Sequence, residues 1–313
     1  MKRRLPAVDP ALASRGGASR DGQPLSYNRV PAPDLAHWIG RIYVTIIDAP
    51  DDHCLECGLF NDAPVLRLQL KGKWAARVRE GQWDEGPSAC FSGPHSRRMP
   101  VSVTGSFVSV GAVIRPGVSR RRRARAMGDY LDRIVPFEEE GFDAEAVLAR
   151  LDPRAPAEEL ALALENWLRS GLPGSEDFVI DPLAQRFEVL AFADPSESVA
   201  AIARRCDVEV RTLERIVRRD FGLTPKQVLR RARALDMASH LRGVADQGEA
   251  DDLMLRYYDQ SHLIRDFTEL FGMSPRQFVE TPQPILTLTL EARQAHRLEM
   301  MERLTPGQSR PWV

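Results

Sequence analysis

Two periodicities divide the chain. Between about residues 30 and 118 apolar and polar residues alternate over short runs, as at Val65, Leu66, Leu68 and Leu70 ahead of a Lys-Gly-Lys turn and in the β-branched stretch "VSVTGSFVSVGAVI". Period two predicts strands with one face turned to a core, and Gly and Pro between the runs predict turns. A β-rich domain is therefore expected over 29–118, a barrel or sandwich that could be cupin-like, with "RPG" at 115–117 closing its last strand. From about residue 124 the apolar residues recur at helical spacing instead. In "PAEELALALENWLRSGLPG" Leu160, Leu164, Trp167 and Leu168 fall on one face, with Pro156 near the start and Gly171 marking the end. Residues 119–193 are thus expected to be a helical coupling segment, able to bridge two domains or to pair with a second copy. Residues 194–281 read as helical throughout. A C-terminal extension over 282–313 begins with two prolines and can form one further amphipathic helix. Residues 1–28, rich in Gly, Ser, Pro, Arg and Ala with no apolar period, are expected to be a disordered tail. The fold class is α+β: a β-rich N-terminal domain, a helical linker and an all-α C-terminal domain.

Inside the all-α region one phrase occurs twice, "FGLTPKQV" at 221–228 and "FGMSPRQF" at 271–278. A shift of fifty residues also places Leu213 on Leu263 and Arg215 on Arg265, so a whole motif is duplicated. Each copy reads as a helix stopped at Gly222 or Gly272, where positive φ is easily accommodated, followed by a Thr or Ser N-cap with Pro at the first helical position. Upstream of the first copy Val199, Ile202 and Ala203 form a short apolar face, "CDV" interrupts it, and Leu213, Ile216 and Val217 begin another. Two short helices joined by a tight turn make a helix-turn-helix.

The stretches "SVAAIARRCDVEVRTLERIVRRDFGLTPKQVLRRARALDMASHL" and "YYDQSHLIRDFTELFGMSPRQF" resemble the paired helix-turn-helix domain of AraC-type (AraC/XylS family) transcriptional regulators. The resemblance covers residues 194–281. It implies a bacterial, cytoplasmic, sequence-specific regulator that docks recognition helices in the major groove of promoter DNA. An N-terminal domain that senses an effector or mediates dimerisation, and a contact with RNA polymerase, are the further partners it implies. Two departures from the family pattern fall in the turns. Asp252 and Arg256 stand where a small residue and a glycine are usual, and Asp207 stands where Gly or a small residue is common. Asp tolerates a left-handed backbone better than most residues do, and Arg does not.

Charge separates the two copies. Residues 204–233 carry ten Arg or Lys against four Asp or Glu, whereas residues 246–280 carry three against eight. Because Lys and Arg on phosphates supply most sequence-independent affinity for DNA, the first motif is expected to dominate docking. In its second helix, about 210–220, Arg211, Glu214, Arg215 and Arg218 lie opposite the apolar face. Arg can bond guanine in bidentate fashion and Glu can accept from cytosine. Lys226 and Arg230 are candidate phosphate contacts. The equivalent positions of the second motif are Gln260, Ser261, His262 and Arg265, with His262 equally suited to capping or packing, and Tyr257 and Tyr258 better suited to core or backbone contacts. The basic run "SRRRRAR" at 119–125 reads as a solvated link.

The remaining composition narrows the classes. No run approaches the roughly eighteen apolar residues of a membrane span, and the N-terminus lacks the apolar centre of a secretory signal, so a cytoplasmic protein without membrane contact is expected. Four cysteines are too few for a disulfide framework in 313 residues. "HCLEC" at 53–57, with Cys90 and His95, offers a competing reading as a metal or thiol sensor through His53, Cys54 and Cys57, although the second half of a zinc site is missing as a clean pair. A third reading keeps the fold but gives the second motif to a protein partner. No phosphate loop, no nucleophile triad and no H-E-x-x-H is present, so neither enzyme chemistry nor a cofactor is expected.

Overall fold

The structure, a computed structural model, describes residues 4–119, 126–170, 179–246 and 260–313. The alternating runs form one antiparallel sheet. Its strands are β1 (Ala13–Ser14), β2 (Tyr27–Arg29), β3 (Ile39–Asp48), β4 (Cys54–Leu59), β5 (Val65–Val78), β6 (Gly81–Glu85), β7 (Ser88–Ser92), β8 (Met99–Ile114) and β10 (Ile134–Pro136). The order is β1-β3-β8-β5-β7-β10, with β2 on β3, β4 on β8 and β6 on β5; β9 (Val118–Ser119) pairs separately with β11 (Val179–Ile180). The two long strands hold the sheet together and change partners along their length. β8 pairs β4 through 99–104 and β3 through 107–114, and β5 passes from β7 to β6, with register shifts between Gln69 and Lys73. Such irregularities bend a strand, so the two halves of the sheet face different neighbours.

Period two sets what each face meets. Ile42, Val44 and Ile46 of β3, Leu66, Leu68 and Leu70 of β5, and Val108, Val110 and Ala112 of β8 share one core with Leu160, Leu164, Trp167 and Leu168 of helix α2 (Ala157–Ser170), preceded by the short α1 (Ala144–Leu148). The other half of the sheet, including Leu55, Leu59, Trp74, Val101 and Phe107, packs into the helical C-terminal part. There α3 (Pro182–Ala193), α4 (Val199–Arg205), α5 (Val210–Phe221), α6 (Pro225–Leu241), α7 (Gln260–Phe271), α8 (Pro275–Glu280) and α9 (Pro284–Met300) follow in order.

Three expectations are corrected. Residues 4–28 are not a free tail: β1 and β2 pair with β3, and Gln23 is fully buried, accepting from the guanidinium of Arg242. A composition reading registers the polarity of this segment but not partners more than two hundred positions away. The segment 119–193 is not uniformly helical, because β10 extends the sheet and α2 belongs to the sheet's core, whereas Phe187 and Leu190 of α3 belong to the core of α4, α5 and α6. Helix α9 is no peripheral extension. Ile285, Leu286, Leu290 and Leu298 are buried between the sheet and α6, and Trp312 beyond it is buried too.

The duplicated phrase does what its residues predict. Gly222 and Gly272 end α5 and α7 with φ of 72° and 70°. Thr224 and Ser274 each accept from the backbone N–H three residues on while Gln227 and Gln277 reach back, closing two capping boxes. The glycines differ in surroundings. A Cβ at Gly222 would stand 3.1 Å from the Met127 carbonyl oxygen, whereas one at Gly272 would meet nothing within 4 Å. Gly272→Ala is expected to cost only the left-handed backbone term of about 1–2 kcal/mol, and Gly222→Ala measurably more, which paired urea melts would show.

Candidate nucleic-acid interface and interdomain cavity

Ser198 caps α4 by accepting from the Ala201 N–H at 3.1 Å. The turn that follows holds Asp207 at φ 56°, the left-handed residue that lets α5 turn back across α4. Leu213, Ile216, Val217 and Phe221 of α5 are buried against α3, α4 and α6, with Phe187 and Phe221 edge to face at 5.2 Å. The opposite side carries Arg211, Arg215 and Arg218, all exposed, with Glu214 half-buried beside them. Spacing of four and then three residues aligns the three guanidinium groups along one helix face. Lys226 is exposed at the start of α6.

The basic excess of the first motif is smaller at the surface than in the sequence. Arg219 bonds Asp181 and Asp220, and Arg205 bonds Glu197 at 2.8 Å. Arg230 does not stand free for phosphate: its Nε donates to Asp266 at 2.8 Å and its Nη1 to Glu269 at 3.0 Å, tying α6 to α7. Arg231 is buried altogether. Arg204, Arg211, Arg215, Arg218 and Lys226 are the exposed remainder, with no carboxylate partner among the described residues.

In the second motif Ser261, His262 and Arg265 are exposed on α7. Gln260 begins that helix, while Tyr257, Tyr258, Asp252 and Arg256 lie outside the described residues. Phe267 and Phe271 stack at 4.2 Å, Phe278 meets both edge to face, and Phe60 of the N-terminal domain closes on Phe271 at 5.2 Å. The Arg98 N–H caps α7 from the same domain, donating to the Leu270 carbonyl at 2.8 Å. The basic run at 120–125 lies outside the described residues.

The proposed metal or thiol cluster is not assembled. Cys54 and Cys57 are three apart on β4, so strand alternation turns them to opposite faces, one exposed and one buried. His53 pairs with Asp9 at 2.9 Å, and His95 accepts from the Asn61 N–H through Nδ1 and is pushed down to about 4 by burial. Among the described residues no group of three such side chains could hold a metal ion. None of their helices is long and apolar enough to cross a membrane.

Strand alternation builds a second site that the sequence did not reveal. The faces of β3, β5 and β8 opposite α2 carry Arg41, Tyr43, Arg67, Ser109 and Val113 into the wall of a cavity of about 140 Å³, closed by residues of α3, α6 and α9. Arg41 is held by Glu299 at 2.5 Å, Arg67 by Glu85, and Arg293 by Asp62 at 2.6 Å and Asp236 at 2.5 Å. Burial pushes His296 down to about 3, so it is neutral here. Arg115 stands 3.6 Å from Glu188, whose carboxyl is pushed up to about 7, chiefly by burial. The trace it leaves in the sequence is an arginine within an apolar alternating strand, Arg67 between Leu66 and Leu68.

The family model for a helix-turn-helix domain matches residues 202–281. No curated protein matches the chain. Among solved structures, a substituted variant of apo ToxT from Vibrio cholerae is 10% identical with a TM-score of 0.45, over 76% of this chain and 97% of that one. Wild-type ToxT from the same organism with an unsaturated fatty acid bound is 12% identical with a TM-score of 0.43, over 76% of this chain and 94% of that one. The C-terminal domain of AraT, a response regulator from Geobacillus stearothermophilus, is 20% identical with a TM-score of 0.28, over 33% of this chain and 88% of that one. With two capped helix pairs in the order and spacing described, and the family match over the same stretch, residues 202–281 are a helix-turn-helix domain of the AraC type.

Proposed function

We propose that α5 is the principal DNA-reading helix, lying in the major groove with Arg211, Arg215 and Glu214 toward base edges and Arg218 and Lys226 toward phosphates. The observation that carries this is the clean division of α5 between a buried apolar side and an exposed arginine row. The second motif docks more weakly, because Asp266 and Glu269 sit on α7 beside its exposed Ser261, His262 and Arg265. Binding of the purified protein to a promoter fragment and to competitor DNA over a range of salt tests the reading; equal affinity for both at moderate salt overturns it. Lys226→Ala is expected to weaken all sequences alike and lower the salt slope by about 1. Arg230→Ala is expected to leave that slope nearly unchanged, since its charge is already matched by Asp266 and Glu269.

The same reading gives the N-terminal domain a sensing role, with a small-molecule effector in the cavity. Support comes from the shared wall. Glu188 and Phe192 of α3 line it, and α3 packs Phe187 on Phe221 of α5, so a guest that shifts α3 changes the support of the reading helix. A guest acts only through a difference in affinity between two arrangements, so the observable is reciprocal: DNA must change guest affinity by the factor by which guest changes DNA affinity.

A further inference from the structure

The fifty-residue shift that aligns the two motifs places Arg276 on Lys226 and Glu280 on Arg230. The second motif therefore has a carboxylate where the first has a guanidinium. A distant part of the chain brings one back. Arg4 donates through Nη1 to the Glu280 Oε1 at 2.5 Å, and Arg276 donates through Nε to the same oxygen at 3.0 Å. Two guanidinium groups thus share one carboxylate, and the three charges sum to +1. Both remain open to a further anion, with 65% of the Arg4 side chain and 74% of the Arg276 side chain exposed.

The N-terminal arm that carries Arg4 is fixed to the second motif by contacts that do not involve that charge. Pro6 is buried, the Ala7 N–H donates to the Val279 carbonyl at 2.8 Å, and the Ala7 carbonyl accepts from Arg242 at 2.8 Å. Arg242 is fully buried and also donates to the Phe278 and Thr281 carbonyls, each at 3.2 Å, so one guanidinium holds the arm and the end of α8 together. Gln23 adds a bond to the Pro6 carbonyl at 3.3 Å. The arm is therefore ordered before any partner arrives, and little of the interaction is spent on immobilising it.

We propose, resting on the DNA-binding reading above, that this arm belongs to the DNA-binding surface: Arg4 and Arg276 together meet a backbone phosphate beside the second motif, and Glu280 holds the two guanidinium groups side by side while limiting their strength. Duplex DNA is the occupant because Arg276 stands at the register position of Lys226, on the helix that follows α7 as α6 follows α5. Arg4 reaches what Arg276 reaches, since both touch one oxygen. A guanidinium bonds phosphate strongly and positions the duplex without reading its sequence. The arm thereby offsets part of the charge deficit of residues 246–280.

Each phosphate neutralised contributes about 0.9 to the slope of log K against log salt. Salt titrations of the full chain on a promoter fragment and on competitor DNA therefore read the contact. Arg4→Ala is expected to lower the slope by about 1 on both, with its deficit against the wild type shrinking roughly 3.5-fold between about 50 and 200 mM salt. Glu280→Gln, which releases both guanidinium groups, is expected to raise the slope by about 1, and the two changes together to return it to the wild-type value. Arg154→Ala removes the same charge ahead of α2, across the sheet from the C-terminal helices, and should leave the slope unchanged. Arg4, Glu280 and Arg154 are exposed, and circular dichroism checks that each variant is folded. An unchanged slope in Arg4→Ala beside a lowered one in Lys226→Ala overturns the arm contact and leaves the DNA reading intact. An equal fall in Arg154→Ala overturns it too, because the effect is then one of net charge. A slope that Glu280→Gln does not raise overturns the shared carboxylate. If promoter and competitor bind alike and neither Arg4→Ala nor Lys226→Ala moves the slope, the proposal and the DNA reading fall together.

Discussion

Replacing Arg211 and Arg215 together by alanine is expected to abolish preference for a promoter site while leaving the fold intact. Both side chains are exposed on α5, away from Leu213, Ile216 and Val217, so their truncation creates no cavity and leaves no buried group unpaired. Surface changes of that kind move stability by about 0.5 kcal/mol or less. A bidentate arginine on guanine is worth about 1–3 kcal/mol of discrimination. Two such contacts correspond to a loss of roughly 30-fold to 2 × 10⁴-fold in specific affinity. Gel shifts on a promoter fragment and on shuffled DNA would separate this from a general charge effect, which weakens both equally. The competing view of the second motif as a protein-binding surface predicts that whatever meets Ser261, His262 and Arg265 is retained in the same variant. Persistence of specific DNA binding would instead move the reading function from α5 to α7.

What could be read from the chain divides by the range of the interaction responsible. The phrases at 221 and 271 were legible because every element in them is local: a glycine at positive φ, a hydroxyl cap and a proline within a few residues. Asp207 was legible for the same reason, its left-handed φ of 56° being a property of one residue in one turn. The alternation of β5 and β8 and the apolar side of α2 were legible from period alone. The ion pairing of Arg230 was not legible because its acceptors, Asp266 and Glu269, lie 36 and 39 residues on, across a helix contact that the amphipathic pattern of α6 does not encode. The cavity is illegible in the sequence for a stronger form of the same reason. Arg231 meets a carbonyl 136 residues away and Arg293 a carboxylate 231 residues away, so nothing near either residue in sequence marks it as buried. Arginine is ordinarily a surface residue, and its burial is a statement about its partners.

The partners of Arg293 give the largest expected effect on stability. Asp236 on α6 is 1% exposed and Arg293 on α9 is 7% exposed, and Arg293 also donates to Asp62 ahead of β5, so one guanidinium joins three parts of the fold. It lies 5.1 Å from the Phe192 ring of α3 as well. Two charges removed from water recover that loss only by meeting each other, so removing one partner strands the other. Asp236→Ala is expected to destabilise the protein by about 3–5 kcal/mol, seen as a large fall in the urea midpoint. Arg293→Met should cost less in that chain than in the wild type, because its bond to Asp236 is already gone and only the one to Asp62 is lost, and a double-mutant cycle reads the difference. Acid should act on the same junction through Asp62. Burial alone would raise its carboxyl, but Arg293 and Arg231 hold it below the ordinary range. Its contribution is therefore present above the unfolded carboxylate pKa and disappears as pH falls through the lower folded value. Stability of the wild type should drop over that acidic window, and Arg293→Met, which removes the nearer guanidinium, should flatten the drop. An Asp236→Ala variant as stable as the wild type would mean that the junction is held by apolar packing of α6 on α9 alone, with the ion pair contributing orientation and no net free energy.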